Sequence, residues 1–137
     1  MCRMCKKKLP NVPLRIGHFL ELPFSNQEID TVISAYSFHH CQEKDQFQVI
    51  QEISRILKDD GICIIGDVMF KNQNAKDIYE KQCTPLQQKE LHDEHFAVLD
   101  SLEYHFQQAG FHCIMKQVDE IIWVIVAKKV KKNGIKK

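Results

Sequence analysis

Phe38-His39-His40 is the triplet in this chain best suited to chemistry. An imidazole titrates near neutral pH and can orient or deprotonate a nucleophile. His39 is the catalytic candidate; the competing reading has one ring packed and the other capping the next helix. Cys2-Arg3-Met4-Cys5 has the spacing of a zinc knuckle, and His39, His40 and Cys41 could complete its ligands. Structural zinc needs four fixed ligands and a lone cysteine pair is a weak signal, so no metal is expected. His92-Asp93-Glu94-His95 puts two histidines one helical turn apart, without the spacing of a metalloprotease motif, and reads as a solvated helix face.

Composition narrows the partners. The 137 residues suffice for one domain with a buried core. Lys and Arg total 19 against 18 Asp and Glu, a net charge of +1, which argues for neither nucleic acid, an acidic substrate nor a membrane surface. No apolar run reaches the ~18 residues of a membrane span and no signal-like segment opens the chain, so the expected location is the cytoplasm. Cys2, Cys5, Cys41, Cys63, Cys83 and Cys113 form no compact framework and read as reduced thiols, with Cys63 and Cys113 as small apolar residues inside strands.

Several elements must hold these side chains. The first eight residues read as the tail of a helix stopped at Leu9-Pro10, and Leu14 to Phe19 as a short strand before the loop Leu22-Pro23-Phe24-Ser25-Asn26. Ile29 to Tyr36 is β-branched and apolar on both faces, as expected of a strand covered on both sides. Phe47, Val49, Ile50, Ile53, Ile56 and Leu57 recur at helical spacing and predict a helix over Glu43 to Lys58. Asp59-Asp60-Gly61 is expected to end it, with Gly61 taking a positive φ, before a strand over Ile62 to Val68.

Gln73 to His95 is expected as two helical pieces broken at Thr84-Pro85 and anchored by Ile78, Tyr79, Leu86 and Leu91. Leu99 to Gln108 follows as a helix with Leu99, Leu102 and Phe106 on one face, closed by Ala109-Gly110. Phe111 to Val118 and Ile121 to Val130, joined by Asp119-Glu120, must be antiparallel strands. Residues 131–137 are a solvated basic tail. This is the order of an α/β sheet finished by an antiparallel hairpin.

The segments Gly17-His18-Phe19, Leu22-Pro23-Phe24, Ile29-Asp30 and Arg55-Ile56-Leu57-Lys58-Asp59-Asp60-Gly61, in this order and spacing, resemble class I S-adenosylmethionine-dependent methyltransferases of the small-molecule type. The loop Ala35 to His40 and the strand Ile122-Trp123-Val124 look closest to a group of bacterial members. The resemblance implies a Rossmann-like methyltransferase fold and methyl transfer from S-adenosylmethionine to a small molecule. It places His18 and Phe19 beside the adenine and Ser34, Ala35 and Tyr36 near the methionine portion. His18 stands where the family has an Asp that meets the adenine amino group, a bond an unprotonated ring nitrogen could accept.

By the same resemblance, residues 1–130 correspond to the C-terminal part of a methyltransferase domain. The glycine-rich cofactor loop and the ribose-binding acid, with the first two strands, would precede Met1. The expectation is a partial, N-terminally truncated fold whose cofactor binding and activity alone are weak or absent. Removing two central strands would leave Ile29 to Tyr36 with an open edge, so an oligomer through that edge is expected unless Leu14 to Phe19 pairs with it. The alternative in a different class is a non-catalytic remnant or binding module that joins an intact methyltransferase through that edge.

Overall fold

The computed structural model describes residues 17–130, without the side chains of His92 and Asp93. The expected N-terminal helix tail, most of the Leu14 to Phe19 strand, Cys2, Cys5 and the basic tail lie outside the described residues.

Apolar alternation builds the sheet. Strands β1 (Ile29–Ala35), β2 (Leu57–Phe70), β3 (Ala97–Val98), β4 (Phe111–Gln117) and β5 (Ile122–Lys129) form it, in the order β1-β2-β5-β4 with β3 paired to the end of β2. β1 runs parallel to β2, from Thr31 opposite Ile62 to Ala35 opposite Gly66. β5 runs antiparallel to β2, from Ile62 opposite Lys128 to Val68 opposite Ile122, and antiparallel to β4 on its other side. This mixed sheet with a closing hairpin is the α/β architecture expected from the sequence.

The period-2 pattern puts Cys63, Ile65 and Met69 of β2 on one face with Ile125 and Ala127 of β5, all fully buried. Helix α1 (Gln46–Ile56) lays Val49, Ile50 and Ile53 over that face, and α4 (Leu99–Gln108) adds Leu99, Leu102 and Phe106. Phe38 and Phe111 complete the cluster. Helices α2 (Gln73–Gln82) and α3 (Pro85–Asp93) are separated as expected: Thr84 forms a capping box with Gln87, and Pro85 starts α3. Among the described residues no helix is long and apolar enough to cross a membrane.

Four expectations are corrected. The Glu43 to Lys58 helix is a 3-10 turn at Glu43–Asp45 followed by α1, and Leu57 already pairs in the sheet with Ile29. Asp60, with φ 66°, takes the left-handed conformation expected of Gly61. Gly61 is needed for another reason: a Cβ there would lie 2.7 Å from the Lys58 carbonyl and 3.2 Å from that of Asp30, where β1 and β2 shift register. β1 is not covered on both sides among the described residues, since Val32 packs on the core while Ile33 is 71% exposed. Of the four expected anchors of α2 and α3, Ile78 and Leu86 are exposed, while Tyr79 stacks on Phe70 at 5.5 Å and Leu91 is half-buried. Gly110 has φ 91° and closes α4 as expected.

The Leu22-Pro23-Phe24 loop is tied to α1 by charge. Arg55 donates to the Phe24 and Leu22 carbonyls, to Asn26 Oδ1 and to both oxygens of Glu52, while Leu22 N–H donates to Glu52 Oε2. The Arg55 guanidinium holds the Glu52 carboxyl below its usual 4.5 against an opposing burial effect, with the Leu22 N–H helping. Burial pushes the Cys63 thiol to about 12 and the Cys113 thiol to about 11, so both stay protonated at neutral pH, as small apolar strand residues should.

Gly61→Ala is expected to lower the unfolding free energy by ~1–3 kcal/mol through backbone overpacking, read from urea denaturation; an unchanged midpoint would show that the strand junction has slack. The Glu52 contribution has its own pH window. A carboxyl whose folded pKa is depressed stabilises fully above its unfolded value of 4.5 and loses that contribution as pH falls through the folded value. Thermal melts should place Glu52→Gln below wild type at neutral pH, with the gap closing in acid; a pH-independent gap would contradict the ion-pair account.

Candidate functional site

The chain leaves β1 at Ala35 and turns at once. Tyr36 adopts a left-handed φ of 56° and donates its N–H to Gly66 O at 2.8 Å. This strained turn drops Phe38 into the core at 1% exposure and brings His39 over the carboxyl end of β2. Carboxyl ends of parallel strands are where open α/β sheets hold ligands.

Asp67, in β2 directly after Gly66, receives His39. Its Oδ2 accepts from the His39 backbone N–H at 2.9 Å, its Oδ1 from the Val68 N–H at 2.7 Å, and His39 Nδ1 lies 2.9 Å from Oδ1. The carboxylate is 1% exposed, and a buried acid survives in a strand only with such partners. An ionised carboxylate only accepts, so Nδ1 is the donor and the neutral ring keeps its lone pair on Nε2. The side chain of His39 is 16% exposed, which leaves that nitrogen reachable.

Nε2 faces a second acid. Glu94, just past α3, has its Oε2 3.4 Å from His39 Nε2 and 3.8 Å from His40 Nδ1. The segment is fixed there by His95 N–H donating to His39 O at 2.9 Å, and Phe96 lies against the His39 ring at 5.4 Å. A polar cavity of ~300 Å³ opens beside Glu94, lined by Glu43, Gln46, Lys76, Glu80 and His95 among others. Cys41 is buried nearby, and burial with the negative Asp45 and Asp67 pushes its thiol up to about 11.

The structure brings Ser34, Ala35 and Tyr36 together with His39 at one strand end. Ser34 Oγ is buried without a hydrogen-bond partner, the kind of group a polar ligand would satisfy. Tyr36 is 58% exposed and so is no core aromatic. His18 and Phe19 sit in a turn of their own, where the described end of the expected Leu14 to Phe19 strand makes only a bridge between His18 and Glu21. His18 Nδ1 already accepts the Leu20 N–H at 3.1 Å, so a neutral ring has its proton on Nε2 and presents a donor, not the acceptor an adenine amino group needs. Phe19 packs against the core. Asp67 and Glu94 were not singled out from the sequence, although Asp67 is the lone acid in the apolar run Ile62 to Val68 and marks itself by that.

The methyltransferase domain family matches residues 1–65. An uncharacterized methyltransferase of Oceanobacillus iheyensis is 31% identical over 134 residues, covering 95% of this chain. The chain is similar to class I S-adenosylmethionine-dependent methyltransferases. It spans 63% of that relative's length, less than two thirds. Among solved structures, the PH0226 protein of Pyrococcus horikoshii superposes with a TM-score of 0.71 at 20% identity, over 93% of this chain and 64% of that one. A SAM-dependent methyltransferase of Methanosarcina mazei gives 0.63 at 15% identity, over 85% and 66%. At these identities the likeness shows a shared Rossmann-like fold. The Methanosarcina mazei neighbour is SAM-dependent, and in this chain the candidate site lies at the ends of the parallel pair.

Asp67→Asn would turn an amide N–H toward one of three N–H donors. The expected loss is ~1–3 kcal/mol in urea denaturation, together with a changed tautomer balance of His39 in nitrogen NMR spectra. A variant with the wild-type His39 spectrum would show that Asp67 does not hold the ring.

Proposed function

We propose that this chain contributes one wall of an S-adenosylmethionine site and the proton acceptor for methyl transfer to a small polar molecule. The observation that carries the reading is His39, locked by buried Asp67 with its Nε2 turned toward Glu94 at the carboxyl end of β1 and β2. Bound S-adenosylmethionine supplies an electrophilic methyl group on its sulfonium.

In this reading Ser34, Ala35 and Tyr36 meet the methionine portion, with Ser34 Oγ gaining the partner it lacks among the described residues. Phe19 offers an apolar edge near the adenine, and His18 contributes by donating from Nε2. His39 Nε2 takes the proton of an acceptor hydroxyl, thiol or amine, and Asp67 stabilises the imidazolium that results. The cavity beside Glu94 suits the acceptor, since polar and charged side chains make up most of its lining.

A second reading rests on β1, which among the described residues pairs only with β2 and leaves its outer edge free. A non-catalytic module that joins another methyltransferase, or a second copy, by strand addition would use that edge. Size-exclusion chromatography separates the two, a monodisperse monomer counting against the module.

The direct test titrates S-adenosylmethionine into the chain by NMR and follows product release over small hydroxyl, thiol and amine acceptors. Shifts should concentrate at Ser34 to Tyr36, and His39→Ala should lower any turnover ~10²–10⁴-fold with cofactor shifts retained. Unmoved Ser34 to Tyr36 signals at saturating cofactor would refute the wall, and full turnover of the variant would remove His39 from its role.

A further inference from the structure

We infer that His39, His40 and Glu94 form a binding site for a divalent d-block cation of the zinc class, with Asp67 orienting its first ligand. Nδ1 of His39 donates to Asp67, so Nε2 of the neutral ring carries a lone pair, and 3.4 Å away it meets the Glu94 carboxylate, which is also only an acceptor. Two acceptors at that separation repel unless a proton or a metal cation lies between them. His40 turns a third donor atom to the same place, with Nδ1 3.8 Å from Glu94 Oε2, and the three ligand atoms all lie within 4.8 Å of one another.

The spacing suits coordination. Bonds of ~2.0–2.1 Å at tetrahedral angles put ligand atoms ~3.4 Å apart, the separation found between His39 and Glu94. The His40 side chain is 66% exposed and free to close the remaining gap. Two imidazoles and a carboxylate are a known zinc set that leaves one position to water. The Asp67–His39 pair adds the outer carboxylate that usually fixes the tautomer of a metal-bound histidine. Buried Cys41 is not part of the cluster of three ligand atoms.

The inference shares His39 with the proposed base but does not depend on methyl transfer. A metal on Nε2 uses the lone pair that proton uptake needs, so the metal-bound and base forms are two mutually exclusive states of one ring. The site therefore gives the cation control over that histidine.

Cobalt(II) is the probe, added to the chelator-treated full chain without S-adenosylmethionine and followed by its visible absorption. One equivalent should bind with the intense bands of a four-coordinate ion. His40→Ala and Glu94→Gln should each weaken binding at least tenfold, and Asp67→Asn ~10–100-fold. Thermal melts confirm that the first two variants stay folded, as expected for exposed or half-exposed groups. A Cys2→Ser/Cys5→Ser double variant should bind as wild type does. Absence of the bands, equal affinity in His40→Ala and Glu94→Gln, or loss of binding on replacing the two cysteines would each overturn the site. Cobalt binding with no cofactor-induced shifts would keep the site while rejecting the methyl-transfer reading, and the converse result would do the opposite.

Discussion

β2 is hydrogen-bonded along both sides, parallel to β1 and antiparallel to β5, and the remaining structure is referred to it. Its alternation assigns Cys63, Ile65, Asp67 and Met69 to the helix-covered face, and a one-residue slip would send the whole set to the other side. Asp67 is therefore not placed by local geometry around His39. It is placed by the apolar residues that share its face, and the histidine comes to it. Close approach of backbone at Gly61 and the bend at Asp60 fix where this strand begins to pair with β1, and so set the register that delivers Gly66 to Tyr36 and Asp67 to His39.

The charged network around Arg55 explains why separate short motifs travel together in this sequence. Leu22 to Phe24 and the end of α1 are about thirty residues apart, yet they are two halves of one joint in which loop carbonyls accept from the guanidinium. Glu52 neutralises that cation and takes the Leu22 N–H, so the loop's polar backbone is satisfied beside an apolar core. A resemblance carried by such residues reports a shared way of fastening a loop to a helix, which is a property of the fold and not of any acceptor.

What the sequence made legible was whatever depends on periodicity and local chemistry. The α1 apolar stripe, the capping box at Thr84, the stop at Gly110 and the final hairpin are all short-range signals. Long-range pairing was harder to read. β3 has two residues and exists because Met69 and Phe70 lie opposite it, and Asp67 and Glu94 become interesting only once His39 is between them. His18 shows the limit of transferring a role by position, because its acceptor nitrogen is spent on its own turn. Ile29 to Tyr36 was misjudged for a related cause: composition reports that both faces are apolar, whereas exposure depends on what packs there, and the described residues cover one face.

Lys129 is the last residue of β5 and is 8% exposed, with its ammonium donating to the carbonyls of Ser54 and Leu57 at 2.7 Å each. Those carbonyls belong to the C-terminal end of α1, where unpaired acceptors and the helix dipole favour a cation. The helix nearest the start of the described chain is thus finished by a side chain that arrives 72 residues after Leu57. On the ribosome α1 must wait, without that cap, until Lys129 has emerged.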